Sequence, residues 1–319
     1  MNTPVRTADF IPVTESTPVL SFSPVVLSVP GRLAPLELKV SVPAVGDQLP
    51  VILFSHGHGR STYLSSLRGY GPLVDFYAAH GFAVIQPTHQ DSKALGLDPT
   101  GPEGPLFWRS RVQDMHAILD HLDQIEATVP GLSGRLDRTR IAAVGHSLGG
   151  HTVAMLAGMR ITSPNDGTAL DLSDARIKVG VVMAGPGNGA DLAAFASEHY
   201  PELGNNSFAE MTAPALVVAG DQDVNPMFSD RVDWRSDPYV LSPGPKDLLT
   251  ILGGEHILGG VSGYDAAETT DENPERVSAV QRLTWAYLRS ALYPEDRAWD
   301  TARAALQGRA EPLARTESK

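Results

Sequence analysis

A serine framed by glycines, histidines further along the chain and a pair of aspartates on one turn are the residues here best suited to chemistry. Gly145-His146-Ser147-Leu148-Gly149-Gly150 follows the apolar run Ile141-Ala142-Ala143-Val144 and opens a stretch that reads as helix. A Gly-x-Ser-x-Gly elbow requires this strand–turn–helix context. The chain reverses there so sharply that the serine takes a strained backbone conformation. Glycines two residues to either side let strand and helix approach closely. The hydroxyl then projects from the turn above a helix N-terminus, with its unpaired N–H groups and positive dipole end. Ser147 is therefore the candidate nucleophile. The plain alternative is a chance match in a glycine-rich loop, and the flanking strand and helix argue against it.

A serine hydroxyl needs a base within hydrogen-bond reach, and the base needs an acid to orient it. With this elbow the chain order is serine, acid, histidine. Three histidines lie downstream: His151, His199 and His256. His151 is one helical turn from the serine and reads as packing or capping its own helix. His199, in Ser-Glu-His-Tyr-Pro, reads as a surface residue on a lid helix. His256 follows the last apolar run in a glycine-loosened loop, Leu-Gly-Gly-Glu-His-Ile-Leu-Gly-Gly, and is the expected base. The acid should follow the preceding strand, where Gly220-Asp221-Gln222-Asp223 offers two choices. Asp223, further into the turn, is preferred. Asp221 is expected to satisfy turn backbone groups. Glu255 ranks low because adjacent side chains in an extended loop point apart.

Acyl chemistry also needs two backbone donors for the developing oxyanion. Leu148, just after the nucleophile, should supply one. His58, in Ser55-His56-Gly57-His58-Gly59, should supply the other from the loop after an earlier strand. His56 and His58 could suggest a metal pair, but no third ligand follows at suitable spacing, so no metal is expected. His146 reads as a packing residue. Arg109, Arg111 and Asp114 read as a salt-bridge cluster along one helix. The acidic stretch 265–275 reads as a solvated loop, and Asp166, Asp171 and Asp174 do not follow a calcium-loop pattern.

A scaffold must bring these residues together. Apolar runs at 51–54, 83–85, 141–144, 179–183, 216–218 and 248–252 suit strands buried on both faces. Residues 73–79, 108–125, 147–159 and 274–292 read as helices. The second carries Trp108, Val112, Met115, Ile118, Leu119, Leu122 and Ile125 at helical spacing. The last has Asn273 as cap and Pro274 at its first position. Strands alternating with helices predict an α/β fold, with a mostly parallel central sheet covered on both faces. Residues 24–30 and 36–42, rich in β-branched side chains, read as an antiparallel pair at the sheet edge. One domain is expected over 24–305, with a loose arm at 1–23 and a frayed tail at 306–319. Lid-like connections at 184–213 and 224–246 belong to that domain, at the end of the sheet where ligands bind. Phe228 and Trp234 in the second connection either roof a pocket or simply pack the loop.

The bulk composition narrows the function. A net charge of −12 repels a phosphate backbone, which makes nucleic acid a poor partner. The chain has no cysteine, which excludes disulfides, thiolate metal sites and a cysteine nucleophile. No apolar run is long enough to span a membrane, and no export signal is visible, so a cytoplasmic location is expected unless a leader has been removed.

Taken together, Ser55-His56-Gly57-His58-Gly59, Gly145 to Gly150, Gly220-Asp221-Gln222-Asp223 and Glu255-His256 resemble the α/β-hydrolase superfamily. The resemblance spans roughly residues 24–292, the extent of one α/β unit. It is nearest to the chlorophyllase-like, platelet-activating-factor-acetylhydrolase-like and polyester-hydrolase-like esterases. It implies a serine esterase acting without a cofactor on a small-molecule ester. By position, Ser147 would be the nucleophile, Asp223 the acid, His256 the base, and His58 and Leu148 the oxyanion donors. Two features depart from the pattern. Secreted members usually carry export signals and disulfides, and a leucine or aromatic residue often stands where this chain has His58. The same triad also serves amide, thioester and carbon–carbon cleavage, and a non-catalytic ligand-binding relative is a further alternative.

Overall fold

Along residues 51–54 successive side chains enter two different cores. Val51 and Leu53 pack into one, Ile52 and Phe54 into the other. A strand covered on both faces reads as an unbroken apolar run for this reason. The structure, a computed structural model, describes residues 8–263, 266–307 and 312–319. In chain order its strands are β1 (Val19–Leu27), β2 (Leu36–Pro43), β3 (Leu49–Ser55), β4 (Ala83–Pro87), β5 (Leu136–His146), β6 (Arg160–Thr162), β7 (Ala169–Leu170), β8 (Ile177–Met183), β9 (Asn206–Ser207), β10 (Ala215–Gly220), β11 (Lys246–Ile251) and β12 (Ala314–Ser318). The helices are α1 (Gly71–Ala79), α2 (Trp108–Asp120), α3 (Leu122–Thr128), α4 (Leu148–Leu156), α5 (Ala194–His199), α6 (Asp237–Val240), α7 (Pro274–Leu292) and α8 (Ala298–Gln307).

Nine strands form one sheet in the order β1-β2-β4-β3-β5-β8-β10-β11-β12. From β4 to β11 every neighbouring pair is parallel. The expected antiparallel pair β1–β2 closes one edge, with β2 antiparallel to β4. Helices α1, α7 and α8 cover one face and α2, α3 and α4 the other. This is the predicted α/β architecture. The strands β7, β6 and β9 make a small separate sheet.

Several boundaries differ from the sequence reading, each for a local reason. The helix expected over 108–125 is two helices. His121 leaves helical geometry (φ −114°, ψ 20°), and its ring Nδ1 lies 2.7 Å from the Ala117 carbonyl oxygen. The helix expected to reach 159 ends at Leu156, followed by Gly158 at φ 107°. The tail expected to fray carries β12, which pairs antiparallel with β11, although residues 308–311 lie outside the described ones. The arm's last residues join β1, and residues 1–7 are not described. Asn273 caps α7 as expected, accepting from the N–H groups of Glu275 and Arg276. No helix among the described residues is long and apolar enough to cross a membrane.

The topology sets the place of the site. From β3 the chain moves to β4 on one side and then crosses to β5 on the other, so the direction of winding switches between β3 and β5 at the sheet centre. Such switch points are where open α/β sheets bind ligands. Ser55 at the end of β3 stands opposite Gly145 of β5, so the loop after β3 meets the turn after β5.

Candidate active site

Ser147 sits between β5 and α4 at φ 57°, ψ −121°, a conformation that non-glycine residues rarely adopt. Its N–H donates to the Met183 carbonyl at 2.8 Å, which ties the turn to β8. The flanking glycines have no room for a side chain. A Cβ on Gly145 would fall 2.2 Å from the Gly149 carbonyl oxygen, and one on Gly149 would fall 2.0 Å from that of Ser55.

The structure brings Ser147, His256 and Asp223 into one line. His256 Nε2 lies 2.9 Å from Ser147 Oγ, and its Nδ1 lies 2.8 Å from Asp223 Oδ2. A carboxylate only accepts, so Nδ1 carries the proton and Nε2 receives the serine hydroxyl. Asp223 follows β10 and His256 follows β11. Those two loops touch because Gly220 allows it, since a Cβ there would fall 2.1 Å from the Gly254 carbonyl oxygen. Burial opposes ionisation of Asp223. The charge of Arg235, with Nε 3.2 Å from the same carboxylate oxygen, and the His256 ring nevertheless hold the carboxyl well below its ordinary range.

The competing acids and histidines are placed elsewhere. Asp221 accepts from the Gly253 N–H at 2.7 Å, a turn role. Glu255 is bonded to the Thr270 hydroxyl. His151 is packed inside, and burial lowers its pKa to about 3. It makes no capping bond, since neither ring nitrogen has a partner among the described residues. His199 is exposed on α5 and stacks on Phe195.

The loop after β3 is held by an array that the sequence reading did not find. His58 Nδ1 lies 2.8 Å from Asp91 Oδ2, and Asp91 Oδ1 is bonded to Arg111. Arg111, fully buried on α2, also donates to the carbonyl of His56, to Ser55 Oγ at 3.3 Å and to Thr152 Oγ1 at 3.1 Å. The expected cluster of Arg109, Arg111 and Asp114 along that helix is therefore corrected. Arg111 turns inward to Asp91, and Asp114 pairs with Arg32 and His89 at 2.8 Å each. Arg109 stacks over Trp108. Burial pushes Asp114 up to about 6 despite Arg32. The rings of His56 and His58 do not converge. His56 lies against the Gly57 carbonyl and accepts the His89 N–H.

His146 ties the two loops together. The Gly57 N–H donates to Tyr70 Oη at 2.9 Å, and Tyr70 lies 3.0 Å from His146 Nδ1. His146 Nε2 lies 2.7 Å from the His256 carbonyl oxygen, so Nε2 carries the proton and Nδ1 accepts from the tyrosine hydroxyl. Burial, with His256 beside it, lowers the His146 pKa to about 3 and keeps the ring neutral.

Ser147 and His256 open onto a cavity of about 190 Å³. Leu148, Leu106 and Leu203 form an apolar cluster on its wall, with Tyr200 stacked on Phe228 at 5.7 Å. Both long connections contribute, with Tyr200 and Leu203 from the first and Phe228 and Arg235 from the second. Trp234 is buried off that wall and ties the second connection to the first, donating to the Asn188 carbonyl at 3.0 Å. No backbone hydrogen bond engages the N–H groups of His58 or Leu148 among the described residues. A larger, more open hollow lies near Asp75, Phe76 and Arg282, but it contains no comparable serine–histidine–acid set.

No protein-family model matches the chain. Among curated proteins it is similar to a platelet-activating factor acetylhydrolase from Cavia porcellus, at 28% identity over 36% of this chain and 35% of that protein. The chain thus matches about a third of the length of that relative. With the sheet described above, this likeness supports kinship with lipase-like or esterase-like α/β hydrolases.

Proposed function

We propose that this protein hydrolyses carboxylic esters through an acyl-enzyme on Ser147, within the chlorophyllase-like, platelet-activating-factor-acetylhydrolase-like and polyester-hydrolase-like branch. The observation that carries this reading is the unbroken hydrogen-bonded line from Asp223 through His256 to Ser147, ending at the cavity. As Ser147 Oγ attacks the carbonyl carbon, its proton passes to His256 Nε2. Asp223 holds the ring in the required tautomer and offsets the imidazolium. The carbonyl electrons move onto oxygen, where the N–H groups of His58 and Leu148 receive them. When the tetrahedral carbon collapses, the alcohol leaves with the proton from His256. Water then gives a proton to the same nitrogen, attacks the acyl-enzyme and releases the acid and the serine. Every proton and bond is accounted for by these side chains, so no step calls for a cofactor.

The test is a fluorophosphonate probe together with p-nitrophenyl ester turnover. The native protein should be labelled and should turn over the ester. Ser147→Ala should abolish labelling and lower kcat by roughly 10⁵- to 10⁶-fold. Labelling that survives the substitution removes Ser147 as the nucleophile. Native protein without turnover identifies a ligand-binding relative instead.

A further inference from the structure

We propose that the side chain of His58 selects substrates, accepting a hydrogen bond from a hydroxyl carried close to the scissile ester on its acyl or its alcohol side. This rests on the ester-hydrolase reading and goes beyond it, because an oxyanion donor needs only the backbone N–H of residue 58. Any side chain would serve that purpose, yet this one is held by a built array. Asp91 and Arg111 are fully buried and paired, while the His58 side chain is 20% exposed and lines the same cavity as Ser147. Asp91 accepts only, so in its neutral form the ring carries its proton on Nδ1 and presents the Nε2 lone pair on the side away from Asp91. No hydrogen bond among the described residues uses that nitrogen.

Of the other acceptors on the cavity wall, the ring nitrogen of His256 and the amide oxygen of Asn225 are already engaged, which leaves the Tyr200 hydroxyl as the rival to His58. Arg235 is held by Asp223, and His256 by Asp223 and Ser147. The side-chain oxygen of Asn225 accepts the Met227 N–H at 3.0 Å. The rest of the wall is largely apolar, with Leu106, Leu203 and Phe228. A substrate hydroxyl turned toward Leu106, Leu203 and Phe228 loses its water without a new partner, whereas one turned toward His58 keeps a hydrogen bond. Arg111 offsets the charge of Asp91 and fixes its position, which removes the orientational freedom that would weaken such discrimination.

The experiment compares kcat/KM within two pairs of esters. p-Nitrophenyl 3-hydroxybutyrate against p-nitrophenyl butyrate places the hydroxyl on the acyl side. Glyceryl monobutyrate against propyl butyrate places it on the alcohol side. In at least one pair the native enzyme should favour the hydroxylated ester by roughly three- to tenfold, the effect of one well-placed neutral hydrogen bond. The preference should fall to about one in His58→Leu and His58→Phe, and persist in part in His58→Gln, whose amide oxygen still accepts. Each ratio comes from one preparation, so loss of folded protein cancels. The pair that responds identifies the side of the ester that faces His58. No preference in the native enzyme, or a preference that survives in the leucine or phenylalanine variant, overturns the assignment. Failure to turn over even the hydroxyl-free esters would instead sink the ester-hydrolase reading itself.

Discussion

Two arrays of arginine, aspartate and histidine reach the same cavity from different loops, and only one of them ends on a hydroxyl. Arg235, Asp223 and His256 come from the segments following β10 and β11. Arg111, Asp91 and His58 come from α2 and the loops after β4 and β3. In both, a buried carboxylate is kept ionised against burial by an arginine and pins Nδ1 of an imidazole. They differ in what the outer nitrogen meets. At His256 it is Ser147 Oγ, 2.9 Å away. At His58, a residue of the cavity lining, no hydrogen bond among the described residues engages it. A histidine–aspartate pair is therefore no sign of general-base chemistry by itself, since the partner of Nε2 decides its role.

Exchanging each aspartate for asparagine tests this contrast most severely. Asp223→Asn should favour the wrong tautomer of His256 and lower kcat by roughly 10⁴-fold, with the fold intact. Asp91→Asn should act mainly on stability. Arg111 would then lie buried without its counter-charge, at a cost of about 3–5 kcal/mol in denaturant unfolding. Equal losses of kcat in the two variants would erase the distinction. Both carboxylates are depressed below their unfolded value of about 3.9. Their contribution is therefore complete above that pH and lost as pH falls toward the folded values.

The two arrays were not equally legible in the sequence. Ser147, Asp223 and His256 could be read because a sharp turn demands local glycines and because the strands that carry them announce themselves as apolar runs in a fixed order. Arg111 and Asp91 are 20 residues apart and their pairing leaves no local pattern. Arg111 even looked like part of a salt-bridge cluster with Arg109 and Asp114, because its spacing from Asp114 said nothing of which face was buried. Arg235, inside a long connection, gave no signal at all. The strand β12 was missed for a related reason. Only Ala314 of its five residues is buried, and Arg315 and Glu317 read as solvated tail. A charged edge strand of this kind also discourages pairing with other chains.

A third carboxylate sharpens the role of the arginines. Glu202, beside the cavity residue Leu203, is buried and has no cation bonded to it among the described residues. Burial raises its pKa to about 7. The sign is opposite to that of Asp91 and Asp223. The folded protein binds this proton more tightly than the unfolded chain, so the contribution is complete below about pH 4.3 and lost as pH rises through about 7. Glu202→Gln should therefore raise stability at pH 8 by about 3–4 kcal/mol and leave it nearly unchanged at pH 4. Thermal melts at the two pH values give the answer, and an equal shift at both would deny the buried, cation-free carboxylate its effect.

The smallest expected effect tests whether the two loops act as one unit. Tyr70 takes the Gly57 N–H and faces His146, which reaches the His256 carbonyl, so one line of hydrogen bonds joins the loop after β3 to the loop after β11. Tyr70→Phe keeps the ring in its buried place but removes the oxygen. The Gly57 N–H and His146 Nδ1 both lose their partner, and a Cβ on Gly57 would stand only 3.3 Å from that of Ser147, so any shift of this loop is felt at the nucleophile. A fall in kcat of roughly tenfold with little change in KM is expected, the scale of one misplaced donor rather than a lost one. The His146 pKa near 3 means that this ring carries no proton shuttle near neutral pH. The pH profile of kcat should therefore keep its shape while its height drops. A profile that changes shape would make His146 part of the proton chemistry, and a change confined to KM would separate the relay from the reacting carbon altogether.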